Sequence, residues 1–93
     1  MMEPAPLILI VEDSETQALK LRHLLEQEGL EVIRASTAES ALEELNTHLP
    51  ALIIADYHLP GIRGDELCRR IRMQVSTRNI PILMLTVEDA GDS

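Results

Sequence analysis

Four acidic or hydroxyl-bearing positions stand directly after apolar runs, and their side chains suit chemistry with a cation or an anionic group. Glu12 and Asp13 follow the run Leu7 to Val11, Asp56 follows Ala51 to Ala55, and Thr86 follows Ile80 to Leu85. In an open parallel sheet, the carboxyl ends of the strands form one edge, and ligands collect there. If the first and third runs are neighbouring strands, three carboxylates meet in a shallow pocket. Two like charges about 4 Å apart repel by roughly 4 kcal/mol at an effective dielectric near 20. No Lys or Arg flanks the first or third run to neutralise them. Such a site keeps a proton or takes a cation. Few hard oxygen ligands with open positions left over suit Mg²⁺ and its retained waters. A carboxylate beside such an ion can act as nucleophile toward a phosphoryl group.

The elements needed to position these groups are legible as two kinds of segment. Short continuous runs of Leu, Ile, Val and Ala, at Leu7–Val11, Ala51–Ala55 and Ile80–Leu85, fit strands covered on both faces. Leu30–Ala35 is interrupted by Glu31 and carries Arg34, so it reads as an edge strand. Between them lie segments of helical spacing. Glu15 to Glu28 carries Ala18, Leu21, Leu24 and Leu25 on one face, with Gly29 as C-terminal cap. Thr37 to His48 carries Ala38, Ala41, Leu42 and Leu45, preceded by Ser36 with Glu39 in a capping-box arrangement, and Pro50 ends it. A third helix starts near Asp65, turning Leu67, Cys68 and Ile71 inward and Arg69, Arg70 and Arg72 to solvent. Alternating strands and helices predict an α/β fold with a parallel sheet.

Composition narrows the function classes. The chain has 93 residues, enough for one small domain, and Tyr57 is its only aromatic residue. Acids outnumber bases 16 to 8, giving a net charge of -8 that repels nucleic acid and anionic membrane surfaces. A lone cysteine, Cys68, excludes an internal disulfide, and no apolar run reaches the length of a membrane span. The expectation is a cytoplasmic domain that contacts neither nucleic acid nor membrane.

The segments V-E-D-S at Val11 to Ser14, A-D-Y-H-L-P-G-I-R-G at Ala55 to Gly64, and L-T at Leu85-Thr86 resemble the receiver domains of bacterial response regulators. The most specific piece is D-x-x-L-P-x-x-x-G, made by Asp56, Leu59, Pro60 and Gly64. The resemblance implies a flavodoxin-like α/β fold with sheet order 2-1-3-4. It implies Asp56 as phosphoacceptor, and Mg²⁺ held by Asp13, Asp56, the His58 backbone carbonyl and, through water, Glu12. It implies Thr86 as the phosphoryl contact and switch, with His58 and Glu88 flanking the path of hydrolysing water and Val87 narrowing access. The phosphoryl donor would be a sensor histidine kinase or phosphotransfer protein, and the module would not be an enzyme in the ordinary sense.

The family's pattern continues through a fourth helix, a fifth strand bearing a Lys, and a fifth helix. The only lysine here is Lys20, in the first helix. The expectation is therefore a receiver domain over 1–93, incomplete at its C-terminus and placed at a protein's amino terminus. Other readings stand beside this one. Asp13 or Ser14 could simply cap the first helix, and His23 and His48 read as surface residues. A dehalogenase-type phosphatase needs a second Asp where His58 stands, and no glycine-rich loop supports nucleotide binding. A module that binds proteins or forms a homodimer without phosphorylation is the remaining alternative.

Overall fold

The computed structural model describes residues 4–85. Thr86, Val87 and Glu88 thus lie outside the described residues. The chain runs β1 (Leu7–Val11), α1 (Glu15–Gln27), β2 (Glu31–Ala35), α2 (Ala38–Glu44), β3 (Leu52–Asp56), α3 (Gly64–Met73) and β4 (Ile82–Leu85). The strands form one parallel sheet in the order β2-β1-β3-β4, as expected, with β2 at an edge.

Side-chain alternation along each strand divides the core between the two faces of this sheet. Leu9, Val11, Ile53 and Ala55 point to the face covered by α2 and α3, where they meet Ala38, Ala41, Leu45, Leu67 and Ile71. Ile8, Ile10, Val32 and Ile54 point to the other, where Leu21 and Leu25 of α1 cover them. Leu9, Val11 and Ile53 are wholly buried. With a single aromatic available, branched aliphatic side chains fill both layers. On the α1 face of β4, Leu83 and Leu85 stay exposed, being paired in register with Ile54 and Asp56.

Helix ends are set by local chemistry. Ser14 caps α1, its hydroxyl accepting from the Gln17 amide at 3.3 Å. The other end closes in a Schellman motif: Gly29 takes φ 81°, its N–H donates to Glu26, and that of Leu30 donates to Leu25. The cap of α2 is Thr37 rather than Ser36; its hydroxyl accepts from the Ser40 amide at 3.0 Å. The helix also stops earlier than its apolar spacing predicts, with Leu45 as C-cap and His48 outside it.

Three further expectations are corrected. Leu24 is 60% exposed, because at 100° per residue it falls well off the arc of Ala18, Leu21 and Leu25. Cys68 is half-buried instead of fully inward. β4 begins at Ile82, since Ile80 is held in the preceding turn, its amide bonded to the Thr77 carbonyl at 3.0 Å and its carbonyl to Arg72 at 2.7 Å. His23 and His48 are exposed, as expected. Arg69 and Arg70 lie on a solvated helix face, paired with Glu66.

Candidate functional site

The parallel register brings the ends of β1 and β3 together. Val11 pairs with Ala55, so Glu12 and Asp56 are the next residues along two adjacent strands. Asp13 follows, at the turn into α1. One carboxylate oxygen from each of Glu12, Asp13 and Asp56 lies within 4.8 Å of the others. Their surroundings differ: Glu12 is only 8% exposed, Asp56 is half-buried and Asp13 is open to solvent.

Electrostatics follow from this packing. Burial, foremost, pushes the Glu12 carboxyl above the ordinary carboxylate range. The Ser14 amide, donating to its Oε2 at 3.0 Å, pulls it back down. The charge of Asp56 and shared hydrogen bonding with Asp13 and Asp56 raise it again. A cluster of this kind stabilises a proton or a divalent cation, and its all-oxygen donor set matches a hard ion.

The loop after β3 is shaped by the residues of the D-x-x-L-P-x-x-x-G pattern. The His58 amide folds back to donate to Asp56 Oδ1 at 3.0 Å, while the His58 side chain is exposed. Leu59 is buried in the α2–α3 core and pins the loop down. Gly61 then takes φ 73°, a left-handed conformation that suits glycine. Gly64 returns to the strand end, its N–H donating to the Tyr57 carbonyl at 2.9 Å. A Cβ on Gly64 would stand 2.7 Å from the Asp56 carbonyl oxygen, 2.7 Å from Met84 Sδ and 2.9 Å from Tyr57 Cα. The glycine is therefore what lets α3 start against the backbone of the acidic residue.

Two neighbours of the cluster were not legible from strand ends alone. Arg34, on the edge strand β2, reaches across to the turn after β1. Its Nε and Nη2 donate to the Glu12 carbonyl at 3.0 and 2.9 Å, and Nη2 also donates to the Asp13 carbonyl at 3.2 Å. The strand register places it there, since Arg34 pairs with Ile10, two residues before Glu12, and spacing along the chain alone does not signal it. Beside Asp56, the Tyr57 amide bonds to the Leu85 carbonyl at 2.8 Å and ties the end of β4 to the site. The Arg63 guanidinium lies 5.7 Å from the Tyr57 ring centroid, and the His58 ring meets Tyr57 edge-on at 5.1 Å.

Thus the structure brings together Glu12, Asp13 and Asp56, places His58 in the adjoining loop, and carries β4 to within one residue of Thr86. Among the described residues, no helix is long and apolar enough to cross a membrane.

Comparison with known proteins agrees with this geometry. A family model described as the response regulator receiver domain matches residues 8–93. The chain is 48% identical over 84 residues to the phosphate regulon transcriptional regulatory protein PhoB of Rhizobium meliloti (strain 1021), covering 87% of this chain and 36% of that protein. It is 43% identical over 82 residues to the alkaline phosphatase synthesis transcriptional regulatory protein PhoP of Bacillus subtilis (strain 168), covering 88% and 33%. The chain thus spans about a third of the length of these curated relatives. Among solved structures, it resembles the signal receiver domain of a signal transduction histidine kinase from Syntrophus aciditrophicus. That match has 40% identity and a TM-score of 0.86, over 95% of this chain and 67% of the other. Chemotaxis response regulator CheY4 of Vibrio cholerae matches at 32% identity and a TM-score of 0.86, over 95% and 73%. The chain belongs to the response regulator receiver family of two-component systems.

Proposed function

We propose that this chain accepts a phosphoryl group on Asp56. The observation that carries the reading is the convergence of Glu12, Asp13 and Asp56, each offering a carboxylate oxygen within 4.8 Å of the others. The donor is a phosphohistidine on a sensor histidine kinase or phosphotransfer protein. A carboxylate oxygen of Asp56 attacks phosphorus, the bond from phosphorus to the imidazole nitrogen breaks, and that nitrogen keeps the electron pair and takes up a proton. The product is an acyl phosphate on Asp56.

Asp13, Asp56 and the His58 carbonyl would hold Mg²⁺, and Glu12 would act through water. The ion supplies positive charge that offsets the carboxylates and the incoming phosphoryl oxygens. The chain's own residues do the positioning. The His58 amide fixes one Asp56 oxygen, which leaves the other free as nucleophile. Leu59 and Gly64 hold the loop so that Asp56 stays at the mouth of the sheet edge. Thr86 contacts the phosphoryl group and draws its loop inward, a local electrostatic change read out at a protein-binding surface. Residues 1–93 act in this reading as one receiver module that works in the cytoplasm and transfers nothing catalytically to a small substrate.

The test is intact mass after incubation with acetyl phosphate, with and without Mg²⁺, beside Asp56→Ala. One added phosphoryl group that needs Mg²⁺ and disappears in the variant supports the reading; no adduct under any condition overturns it. A second reading, a non-phosphorylated module that dimerises, draws on the exposed Leu83 and Leu85 of β4. A dimer in solution together with no adduct would favour it.

A further inference from the structure

We propose that Arg34 is a positioning residue for the cation site, setting the Glu12–Asp13 turn so that both carboxylates converge with Asp56. This inference rests on the phosphoacceptor reading above and adds a residue to it.

The need for such a residue arises in the sheet. Within a parallel strand, the N–H and C=O of one residue point to the same neighbour. The Glu12 N–H donates to the Ala35 carbonyl at 3.0 Å, so the Glu12 carbonyl also faces β2. β2 ends at Ala35, and the chain turns away toward the Thr37 cap of α2. The ladder thus runs out just where the acidic residues begin. The Arg34 guanidinium takes the place of the lost donor and does so twice over, with two nitrogens on the Glu12 carbonyl and one of them also on that of Asp13.

Arginine suits this task. Its planar fork reaches two successive carbonyls with one rigid group, which a lysine ammonium does only as a flexible point charge. Charge-assisted bonds are also the stronger kind. The guanidinium brings positive charge to a turn whose side chains are both acidic, while making no ion pair with any carboxylate among the described residues. It is therefore free to act through the backbone without competing for the cation's oxygen ligands. Arg22, from α1, lines the same crevice but donates elsewhere, to the Val32 carbonyl at 3.4 Å. The two arginines sit side by side with different attachments, which supplies an internal control.

Outer residues that orient metal ligands shift metal affinity by about 10- to 100-fold when removed. The experiment measures Mg²⁺ affinity of the 93-residue chain by titration calorimetry for the parent, Arg34→Met, Arg34→Gln, Arg34→Lys and Arg22→Met. Circular dichroism in EDTA checks that each is folded. The expected result is an affinity loss of about 10-fold or more for Arg34→Met and Arg34→Gln. Arg34→Lys should recover part of the loss, and Arg22→Met should show none. Acetyl phosphate labelling of the Arg34 variants should need more Mg²⁺ yet reach the parent's final extent. A merely structural role would lower the melting temperature in EDTA while leaving Mg²⁺ affinity unchanged.

If the parent binds Mg²⁺ and the folded Arg34 variants bind it equally well, this inference is overturned alone. It is overturned in the same way if Arg22→Met loses as much affinity as Arg34→Met. Should Arg34→Met be unfolded, Arg34→Gln decides by the same comparison. Absence of Mg²⁺ binding by the parent overturns the phosphoacceptor reading and this one with it.

Discussion

The α-carbon of Gly64 faces the carbonyl oxygen of Asp56 so closely that one added methyl group would stand 2.7 Å from it. The first residue of α3 is thereby in contact with the backbone of the residue that carries the proposed chemistry. Backbone cannot give way as a flexible side chain can. Gly64→Ala should therefore cost about 1–3 kcal/mol of stability, the usual scale for overpacking. Urea denaturation measures the loss, and acetyl phosphate labelling of the folded fraction should fall with it. Wild-type stability and labelling in Gly64→Ala would show that the contact is relaxed in solution.

Glu12 gives a pH dependence of defined sign. Its folded carboxyl is raised above the ordinary range, mainly by burial. Below that range both folded and unfolded states hold the proton, and nothing is lost. As pH rises through the folded value, the folded state must ionise a carboxyl that the unfolded chain ionises more readily, and stability falls. In EDTA, melting temperature should drop as pH rises from acid toward neutral, and Glu12→Gln should flatten that drop. Adding Mg²⁺ to the parent should restore stability at neutral pH. A parent insensitive to Mg²⁺ and a Glu12→Gln variant with the parent's pH profile would contradict a role for Glu12 burial.

The opposite sign holds on α3. Glu66 takes hydrogen bonds from Arg69 and Arg70, which lower its carboxyl to about 2. A depressed acid contributes stability that is present above the unfolded value and is lost as pH falls through the folded one. Because these side chains are exposed, the effect is small and screened by salt. Glu66→Gln should remove a low-pH component of the acid unfolding curve and reduce its salt dependence. The two curves would superimpose if the pairs contribute nothing.

Thr77 is wholly buried, and its hydroxyl donates to the Ile71 carbonyl at 2.7 Å. It closes the C-terminal turn of α3, where Arg72 also bonds the carbonyls of Arg78 and Ile80. Thr77→Val keeps the shape but removes the shorter of two hydrogen bonds to the Ile71 carbonyl, which keeps the Gln74 amide at 3.3 Å. The expected cost is about 1 kcal/mol, measured by chemical denaturation, with Thr77→Ser retaining the bond and losing less. Parent stability in Thr77→Val would show that the hydrogen bond contributes nothing, and a loss confined to Thr77→Ser would place the effect in the methyl group.

Much of this protein was determined by patterns local to the sequence. Unbroken aliphatic runs specify strands buried on both faces, and Glu31 and Arg34 mark β2 as the strand that cannot be covered so completely. Once the strands are parallel, their carboxyl ends share one edge. With the first and third strands also adjacent, the acids after those runs converge, as Glu12, Asp13 and Asp56 do. What only the tertiary structure decided concerns residues whose partners come from other elements. Leu24 stands three residues from Leu21 and is expected inside, but the sheet covers only the arc of Ala18, Leu21 and Leu25 and leaves Leu24 exposed. Thr37 takes the place of Ser36 as cap, because in the folded turn it is the Thr37 hydroxyl that meets the Ser40 amide, at 3.0 Å. Cys68 remains half-buried, and Thr77, polar and outside every element, is wholly buried. Arg34 looks like a solvent-facing edge residue until the register sets it two residues behind Glu12, where a ladder ends and two carbonyls need donors. The reason is general: spacing along the chain encodes which face a residue occupies, whereas contacts across the sheet depend on register and on where each strand stops.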